Sequence, residues 1–540
     1  MPRRIVAVFF LFALCMGFLG LRLLRIPLAQ PAQSSRAGMG LVIDKSRGAI
    51  YDRGGLRLVQ GERQTWAAAK PTPAASLALR SALSEARWLA LEERLARGSL
   101  TALPVDGIVP PCGDIKLLEI YPRYGARQRA AHVVGYLDGQ TGAGVSGIER
   151  AFEGLLGGAA GQMAVRMAAD VDGRGLAGAP LEVRSENYCS KAGVRLTIDL
   201  RVQSIVEEAM GLCGMEQGAV VVMDCATGEI LALASAPAFD PNDIAASLHD
   251  PREPFFNRAL GAYPVGSTFK CFIAAAALEQ RVPLSTRFIC AGELDVGGQI
   301  YHCGNGQIHG GLDMPLALAQ SCNLYFIQLV QRLELQPLLD LMRLFGFGEP
   351  VELAEGIAGA RGNLPAPEGL ALLGELANFS FGQGKLLGTP LQICAATACL
   401  ANGGVYHSPT LVLAAVDEYG VETPYFRGSE VREVVSPEIA AALRDMMVFT
   451  VEEGSGRGAK PETGGANGSD GAGGKTATAQ TGRYGPGGAE ILLTGFTGFF
   501  PAQSPRYAVT VFRQNGVSGA SDCGPVFKRI ADAMNALGIG

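Results

Sequence analysis

Three short clusters carry residue types able to make and break an acyl bond. The first is Ser267-Thr-Phe-Lys270. Serine is a poor nucleophile until a base takes its proton. At a helix start, residues i and i+3 share a face, so the Lys270 amine can reach the Ser267 hydroxyl. Cys271–Leu278 continues apolar all round, which marks a buried helix. Burial is what such a base needs. Moving a lysine from about 10.4 to near 7 disfavours its cation by roughly 4–5 kcal/mol, the scale desolvation supplies. The second cluster, Ser321-Cys-Asn323, precedes the apolar Leu324–Val330. A hydroxyl and an amide two apart, facing one cleft from a tight turn, could relay a proton and hold a substrate amide. The third is Lys475-Thr-Ala-Thr478. On a strand, Lys475 and Ala477 alternate with Thr476 and Thr478. The backbone N–H of Thr478 and that of Ser267 could form an oxyanion hole, worth roughly 3–4 kcal/mol per donor. Each cluster alone has a plainer origin. S-x-x-K arises by chance, Ser and Asn cap helices, and a Lys-Thr pair on a strand is usually a solvated edge. Their order along one chain is less casual.

The elements that must position them are partly legible. Val194–Ile198 reads as a strand and Arg201–Met210 as a helix; Ala219–Met223 and Ile230–Ala234 read as a hairpin around Asp224-Cys-Ala-Thr-Gly228. A helix-rich middle follows, then strands at Glu490–Thr494 and Tyr507–Phe512 and a helix near Val526–Ala536. A sheet with strands from both ends and helices between is an α/β sandwich closed late in the chain. From Gly40 to Cys189 short β-like runs alternate with Gly and Pro turns, around one charge-patterned helix at Leu77–Leu95. Glu453–Gly474 holds nine glycines in 22 residues and predicts a mobile loop, or one ordered against a partner. No repeat of solenoid or propeller length is visible.

Composition excludes several classes. With 540 residues, 48% hydrophobic and 18% charged, the chain can bury a large core over two to four domains. A net charge of -5 gives no basic excess for a nucleic-acid surface. Twelve cysteines in 540 residues are no small disulfide framework. Cys303 with His302 and His309 resembles half a zinc site, but no second close pair accompanies it, so no metal is expected. Cys290 and Cys303 could form a disulfide outside the cytosol; the sequence does not decide it. At the amino terminus, Ile5–Leu21 is free of charge and is flanked by Arg3, Arg4, Arg22 and Arg25. A cleaved signal peptide and an uncleaved anchor compete; the length of the stretch and the weak cleavage site favour the anchor. Either way the rest of the chain is expected to be exported.

Taken in order, S-x-x-K, S-x-N and K-T-x resemble the class B penicillin-binding proteins, monofunctional D,D-transpeptidases of the serine acyltransferase superfamily. Other blocks extend the likeness. Arg47-Gly-Ala-Ile-Tyr-Asp-Arg53, Tyr121-Pro-Arg-Tyr124, Ala131-His-Val-Val-Gly-Tyr136, Gly147-Ile-Glu149 and Leu156-Gly-Gly158 resemble the family's N-terminal and pedestal signatures. Leu196-Thr-Ile-Asp199, Asp224–Glu229, Tyr263–Ser267, Phe381-Gly-Gln-Gly384 and Thr389-Pro-Leu-Gln392 resemble blocks of its catalytic domain. The resemblance implies a transmembrane signal anchor over 1–25, a mixed α+β pedestal over 26–190, and over 191–540 a transpeptidase domain of serine β-lactamase-like α/β fold, an antiparallel sheet flanked by helices. It implies Ser267 as the acylated nucleophile, Lys270 as its base and Ser321 as the proton relay. Asn323 would hold the donor amide, Lys475 would supply positive potential, Thr476 would bind the donor carboxylate, and Thr478 would give the oxyanion-hole N–H. The reaction implied is peptidoglycan crosslinking. D-Ala-D-Ala stem peptides act as donor and an amine as acceptor, β-lactams inhibit by acylating Ser267, and no cofactor or nucleic acid takes part.

Two departures stand out. Ala477 replaces the usual glycine of K-T-G-T, and its methyl is expected to crowd the donor site. The Gly-rich insert before the strand is expected to loosen its register. Within the superfamily a D,D-carboxypeptidase or β-lactamase would share the acylation machinery, but no dedicated glutamate for activating water is evident. A non-catalytic scaffold, its pedestal bound to a polytopic membrane glycosyltransferase, is the alternative of a different kind.

Overall fold

The computed structural model describes residues 8–19, 38–169, 178–188, 190–425, 430–462, 471–484, 488 and 490–539. Residues 8–19 are a helix whose apolar side chains are exposed. Among the described residues no helix is long and apolar enough to cross a membrane. The anchor expected over 1–25 falls partly outside the described residues, as do 463–470 of the Gly-rich stretch.

The chain divides into two compact units. The smaller comprises 1–45, 63–120 and 162–186. In it the strand Gln64–Ala69 lies between Thr101–Pro104 and Ile115–Ile120, all antiparallel. The single helix expected at Leu77–Leu95 is two, Pro73–Arg80 and Glu85–Ala96. The break has a cause further along the chain. The carbonyl of Ala82 accepts from the N–H groups of Asp106 and Gly107, and the Asp106 carboxylate accepts from Ser84 N–H. Those bonds hold the intervening turn out of helical register.

The larger unit comprises 46–62, 121–161 and 187–540, so two stretches of the expected pedestal cluster with the transpeptidase fold. The contacts give the reason. Glu149 is fully buried and is paired with Arg123, with Arg47 at 3.5 Å and with the Tyr124 hydroxyl at 3.1 Å. A buried carboxylate needs such partners, and they come from two of the sequence blocks quoted above, Glu149 itself from a third. Asp52 accepts from Leu200 N–H, and Arg53 pairs with Glu229 at 3.0 Å.

At the centre is a five-stranded antiparallel sheet built from both ends of the unit. We number its strands β1 (Gly218–Asp224), β2 (Ile230–Ala236), β3 (Gly473–Tyr484), β4 (Glu490–Phe500) and β5 (Tyr507–Gly516). Their order is β2-β1-β5-β4-β3, leaving β3 at one edge. The helices used below are α1 (Leu200–Leu212), α2 (Lys270–Glu279), α3 (Asn323–Val330), α4 (Pro390–Ala401), α5 (Pro437–Glu453) and α6 (Gly524–Ala536). Strand alternation feeds two cores. Val220 and Val222 of β1 pack with Val202 and Val206 of α1 and Phe527 and Ile530 of α6. Ala219, Val221 and Met223 face the opposite core, with α2 and α4. A strand covered on both faces reads as a continuous apolar run, which is why Ala219–Met223 was legible. Helices α2 and α4 are buried on all sides. A capping box between Thr389 and Gln392, with Pro390 at the first turn, fixes where α4 begins.

Candidate active site

The nucleophile stands on a turn that glycines allow. Gly266–Phe269 is a 3-10 turn running directly into α2, with Gly266 at φ +65°. The N–H of Gly266 donates to the Gly382 carbonyl at 2.8 Å. A Cβ on Gly382 would sit 2.1 Å from the Gly266 carbonyl oxygen, so only glycine admits this approach. Ser267 is half-buried here, and its hydroxyl has no hydrogen-bond partner among the described residues. The one-turn spacing puts Lys270 beside it, yet the Lys270 amine aims at the Ser321-Asn323 turn. Its Nζ donates to Ser321 O at 2.7 Å and to Asn323 Oδ1 at 2.6 Å, with Ser321 Oγ at 3.3 Å.

Ser321 has φ +56°, a left-handed backbone for a non-glycine residue. Such conformations persist where the surroundings over-determine them, commonly at active sites. Here the N–H groups of Ser321 and Cys322 donate to Leu318 O and Ala317 O, and Asn323 begins α3. From the other side, Lys475 on β3 donates to Ser321 Oγ at 2.9 Å and to Thr476 O at 3.0 Å. Ser321 thus accepts from Lys475 while its own proton can pass to Lys270. Both amines are fully buried. Burial, with a further push from the charge of Lys475, drops Lys270 well below its ordinary value of 10.5. Burial lowers Lys475 to about 8. The free amine of a base and the retained charge of a cation are the division of labour such a pair permits.

Thr476 is nearly buried, and its hydroxyl donates to Ser455 Oγ at 3.0 Å. Ser455 was hidden inside the expected mobile loop. The start of that stretch is held: Ser455 N–H donates to Ala319 O, and a Cβ on Gly454 would lie 2.4 Å from that same oxygen. The signal available in the sequence was a hydroxyl among glycines just past a helix, too common to single out.

The Ala477 methyl requires a correction. It does not point into an open donor groove. Ala477 is buried on the β3 face that carries Lys475, where a Cβ on Gly266 would come within 3.2 Å of it. The methyl fits under the nucleophile turn because Gly266 has none. Thr478 is exposed, and its hydroxyl accepts from Gly519 N–H at 3.2 Å. β3 runs against the Gly266–Phe269 turn, which brings the Ser267 and Thr478 backbones to the same edge.

One further cluster borders the site. Cys290, Cys303, His309 and Cys322 bring their sulfur and ring-nitrogen atoms within 4.8 Å of one another. The three cysteines are free thiols, so the Cys290–Cys303 disulfide left open above is not formed. His302 is exposed and stands opposite Glu293, away from the cluster. The second pair that the sequence lacked comes from Cys290 and Cys322, distant in the chain, and the four donors could hold a metal ion.

Comparisons with known proteins identify the family. Residues 218–532 match the penicillin binding protein transpeptidase domain. The chain is 28% identical over 502 residues to the peptidoglycan D,D-transpeptidase MrdA of Haemophilus influenzae, covering 82% of this chain and 73% of that one. It is 33% identical over 364 residues to the peptidoglycan D,D-transpeptidase PbpA of Mycobacterium tuberculosis, covering 61% and 69%. A solved chain from a study of "structural coordination of polymerization and crosslinking by a peptidoglycan synthase complex" superposes with a TM-score of 0.69 at 27% identity, covering 98% of each chain. Penicillin-binding protein A from M. tuberculosis, solved as an imipenem acyl-enzyme complex, shares the fold at TM-score 0.65 and 24% identity, covering 91% and 98%. The matched domain takes in Ser267, Lys270, Ser321, Asn323 and Lys475 and more than half of the sequence: the chain belongs to the penicillin binding protein transpeptidase domain family.

Proposed function

We propose that the chain is a peptidoglycan D,D-transpeptidase working through an acyl-enzyme on Ser267. The observation that carries this is the continuous polar chain from Lys270, one turn after the half-buried Ser267 in the sequence, through Ser321 to Lys475 and Thr476. In the first step Ser267 Oγ attacks the carbonyl of the penultimate D-Ala of a donor stem peptide, and Lys270 takes its proton. Thr478 N–H and Ser267 N–H face the oxyanion; Thr476, backed by Ser455, takes the donor carboxylate; Asn323 holds the donor amide. Collapse breaks the amide bond, and Ser321 passes a proton from Lys270 to the departing D-alanine amine. In the second step an amine of a neighbouring stem peptide attacks the ester, returns the proton to Ser267 through the same groups, and leaves a crosslink. A β-lactam opened by Ser267 keeps its amine tethered, so it stalls as an acyl-enzyme.

The organisation proposed is a transmembrane anchor over 1–25, a pedestal over 26–190 and the transpeptidase domain over 191–540, with catalysis outside the cell membrane. The charge-free Ile5–Leu21 supports the anchor. A polytopic membrane glycosyltransferase is the proposed partner, supported by the likeness to a chain of a peptidoglycan synthase complex. The test is intact-mass analysis after incubation with a penicillin. A stoichiometric, long-lived adduct that Ser267→Ala abolishes is expected. Rapid loss of the adduct would point to a hydrolase. No adduct with penicillin or with a D-Ala-D-Ala thioester would leave a scaffold.

A further inference from the structure

We propose that the bulged end of β3, Thr481–Arg483, is a subsite for a carboxylate carried by the donor stem peptide upstream of its scissile bond, with Arg483 as the group that binds it. The inference rests on the acylation reading above, which sets the direction of the donor. Its terminal carboxylate lies at Thr476 and its scissile carbonyl at the Thr478 N–H. The donor therefore runs antiparallel to β3, and its upstream residues pass toward Gln480 and beyond. β3 is the edge strand of the sheet, so its outer backbone groups are free to pair with such a chain. Residues two apart on a strand direct their N–H and C=O groups to the same side, so Gln480 continues the row that Thr476 and Thr478 begin.

The bulge is a built feature. Between Gln480, paired with Leu492, and Tyr484, paired with Glu490, β3 advances four residues while β4 advances two. Side chains hold the excess in place. Glu490 accepts from Gln480 Nε2 at 3.0 Å through one carboxylate oxygen and from Gly482 N–H at 2.9 Å through the other. Thr481 Oγ1 donates to Ile491 O at 2.6 Å and accepts from Arg483 N–H at 3.1 Å. Gly482 has φ +66°, which a glycine adopts without strain. Bulges gather beside active sites, where they re-aim a side chain or end a pairing. This one ends on Arg483, which is exposed and whose guanidinium has no ion pair or hydrogen bond among the described residues. The acid within the bulge, Glu490, spends both oxygens on Gln480 and Gly482, so the charge of Arg483 is left for a ligand.

Position and chemistry select the ligand. An extended chain advances about 3.3 Å per residue on either strand, so roughly the second residue before the scissile D-Ala comes level with Gln480, where the bulge begins. A guanidinium presents a planar fork of N–H donors that a carboxylate meets with two parallel bonds, and an amide in its place offers a single uncharged acceptor. The contact lies away from the reacting atoms. It is made equally in the bound donor and in the transition state, and so acts on KM more than on kcat.

The test uses the full chain and two D-Ala thioester donors that differ in one group: a glutamate two residues before the scissile D-Ala, or glutamine in its place. The wild type should prefer the acidic donor about fivefold in kcat/KM, with the difference carried by KM, and the preference should shrink with added salt. Arg483→Gln should abolish the preference, Arg483→Lys should keep part of it, and Arg483→Glu should invert it. The ratio of the two donors is read within each variant, so a general change in activity does not imitate the effect. Equal rates for the two donors in the wild type, or a preference that survives Arg483→Gln, would overturn the subsite. A protein acylated by neither donor nor by penicillin would count against the acylation reading. Anisotropy titrations with fluorescently tagged forms of the two peptides would then decide the subsite by the same ratio.

Discussion

Two buried lysines sharing one serine make charge coupling measurable. Lys270 Nζ is 3.3 Å and Lys475 Nζ 2.9 Å from Ser321 Oγ, so the amines are separated by at most 3.3 plus 2.9, or 6.2 Å. At that separation and an effective dielectric of about 20, two unit charges repel by about 3 kcal/mol, equivalent to about 2 pKa units. Burial is the larger cause of the fall at Lys270, and Lys475 adds to it. Replacing Lys475 by methionine keeps the volume and removes the charge, so protonated Lys270 becomes easier to form. The limb of the pH–rate profile on which the base loses its proton should move up by about 2 units. Below the limb the reactive free amine would fall by about 100-fold. The assay is the second-order rate constant for acylation by a fluorescent penicillin, between about pH 6 and 10, with each plateau fitted separately. Any direct hold of Lys475 on the substrate shows in the height of the plateau and leaves the limb where it is, so the two effects separate. Lys475→Arg keeps the charge and should keep the limb near its original position, even if the plateau drops. A limb that stays still or moves down in the methionine variant would refute the coupling.

The same substitution should also act on stability. Lys475 titrates at about 8 in the folded chain against an ordinary 10.5, so the unfolded state binds more protons and stability rises with pH across that window. The difference costs the fold about 3 kcal/mol at neutral pH, offset by hydrogen bonds of about 1 kcal/mol each. Lys475→Met loses three such bonds and should therefore melt close to the wild type at pH 7 and fall below it toward pH 10.5; a variant that gains on the wild type as pH rises would contradict the sign. Ser455→Ala removes the acceptor for Thr476 Oγ1 and should slow acylation by a carboxylate-bearing β-lactam about fivefold, with no movement of the pH limb. Ala477→Gly should change that rate by less than about threefold while lowering stability by about 0.5–1 kcal/mol, since the methyl is packed under Gly266; a tenfold gain in rate would show that the methyl does restrict the donor groove.

What the sequence revealed of the site follows from how local each signal is. Ser267 and Lys270 are one helical turn apart, and the run Cys271–Leu278 announced a helix buried on all sides. Their chemistry was therefore readable before any tertiary contact. The direction of the Lys270 amine was not. It is decided by Ser321 and Asn323, whose acceptors come from 51 and 53 residues away and outcompete the serine one turn back. Ala477 failed for a related reason. Alternation placed its methyl on the Lys475 face, but which face opens to the groove depends on Gly266 lacking a Cβ, a property of another segment. The break at Ser81–Ser84 was hidden because its cause, hydrogen bonds from Asp106 and Gly107, is also remote.

Remoteness also explains why the thiol cluster and the active site belong together. Ser321, Cys322 and Asn323 are consecutive, yet their side chains serve different neighbours: Ser321 and Asn323 meet Lys270, while Cys322 meets Cys303. A turn whose outer residues face one way and whose middle residue faces the other can be held from behind while it works in front. Ser321 is in a left-handed conformation worth about 1–3 kcal/mol of strain. Relaxation of that strain would swing Ser321 O away from the Lys270 amine and break the path by which the proton reaches the leaving group. Whatever grips Cys322 therefore governs the base without contacting it. A variant such as Cys322→Ala tests this directly: it leaves all of the reacting groups in place, and on this reasoning should lower the acylation plateau while Ser267 remains chemically intact; an unchanged plateau would refute it.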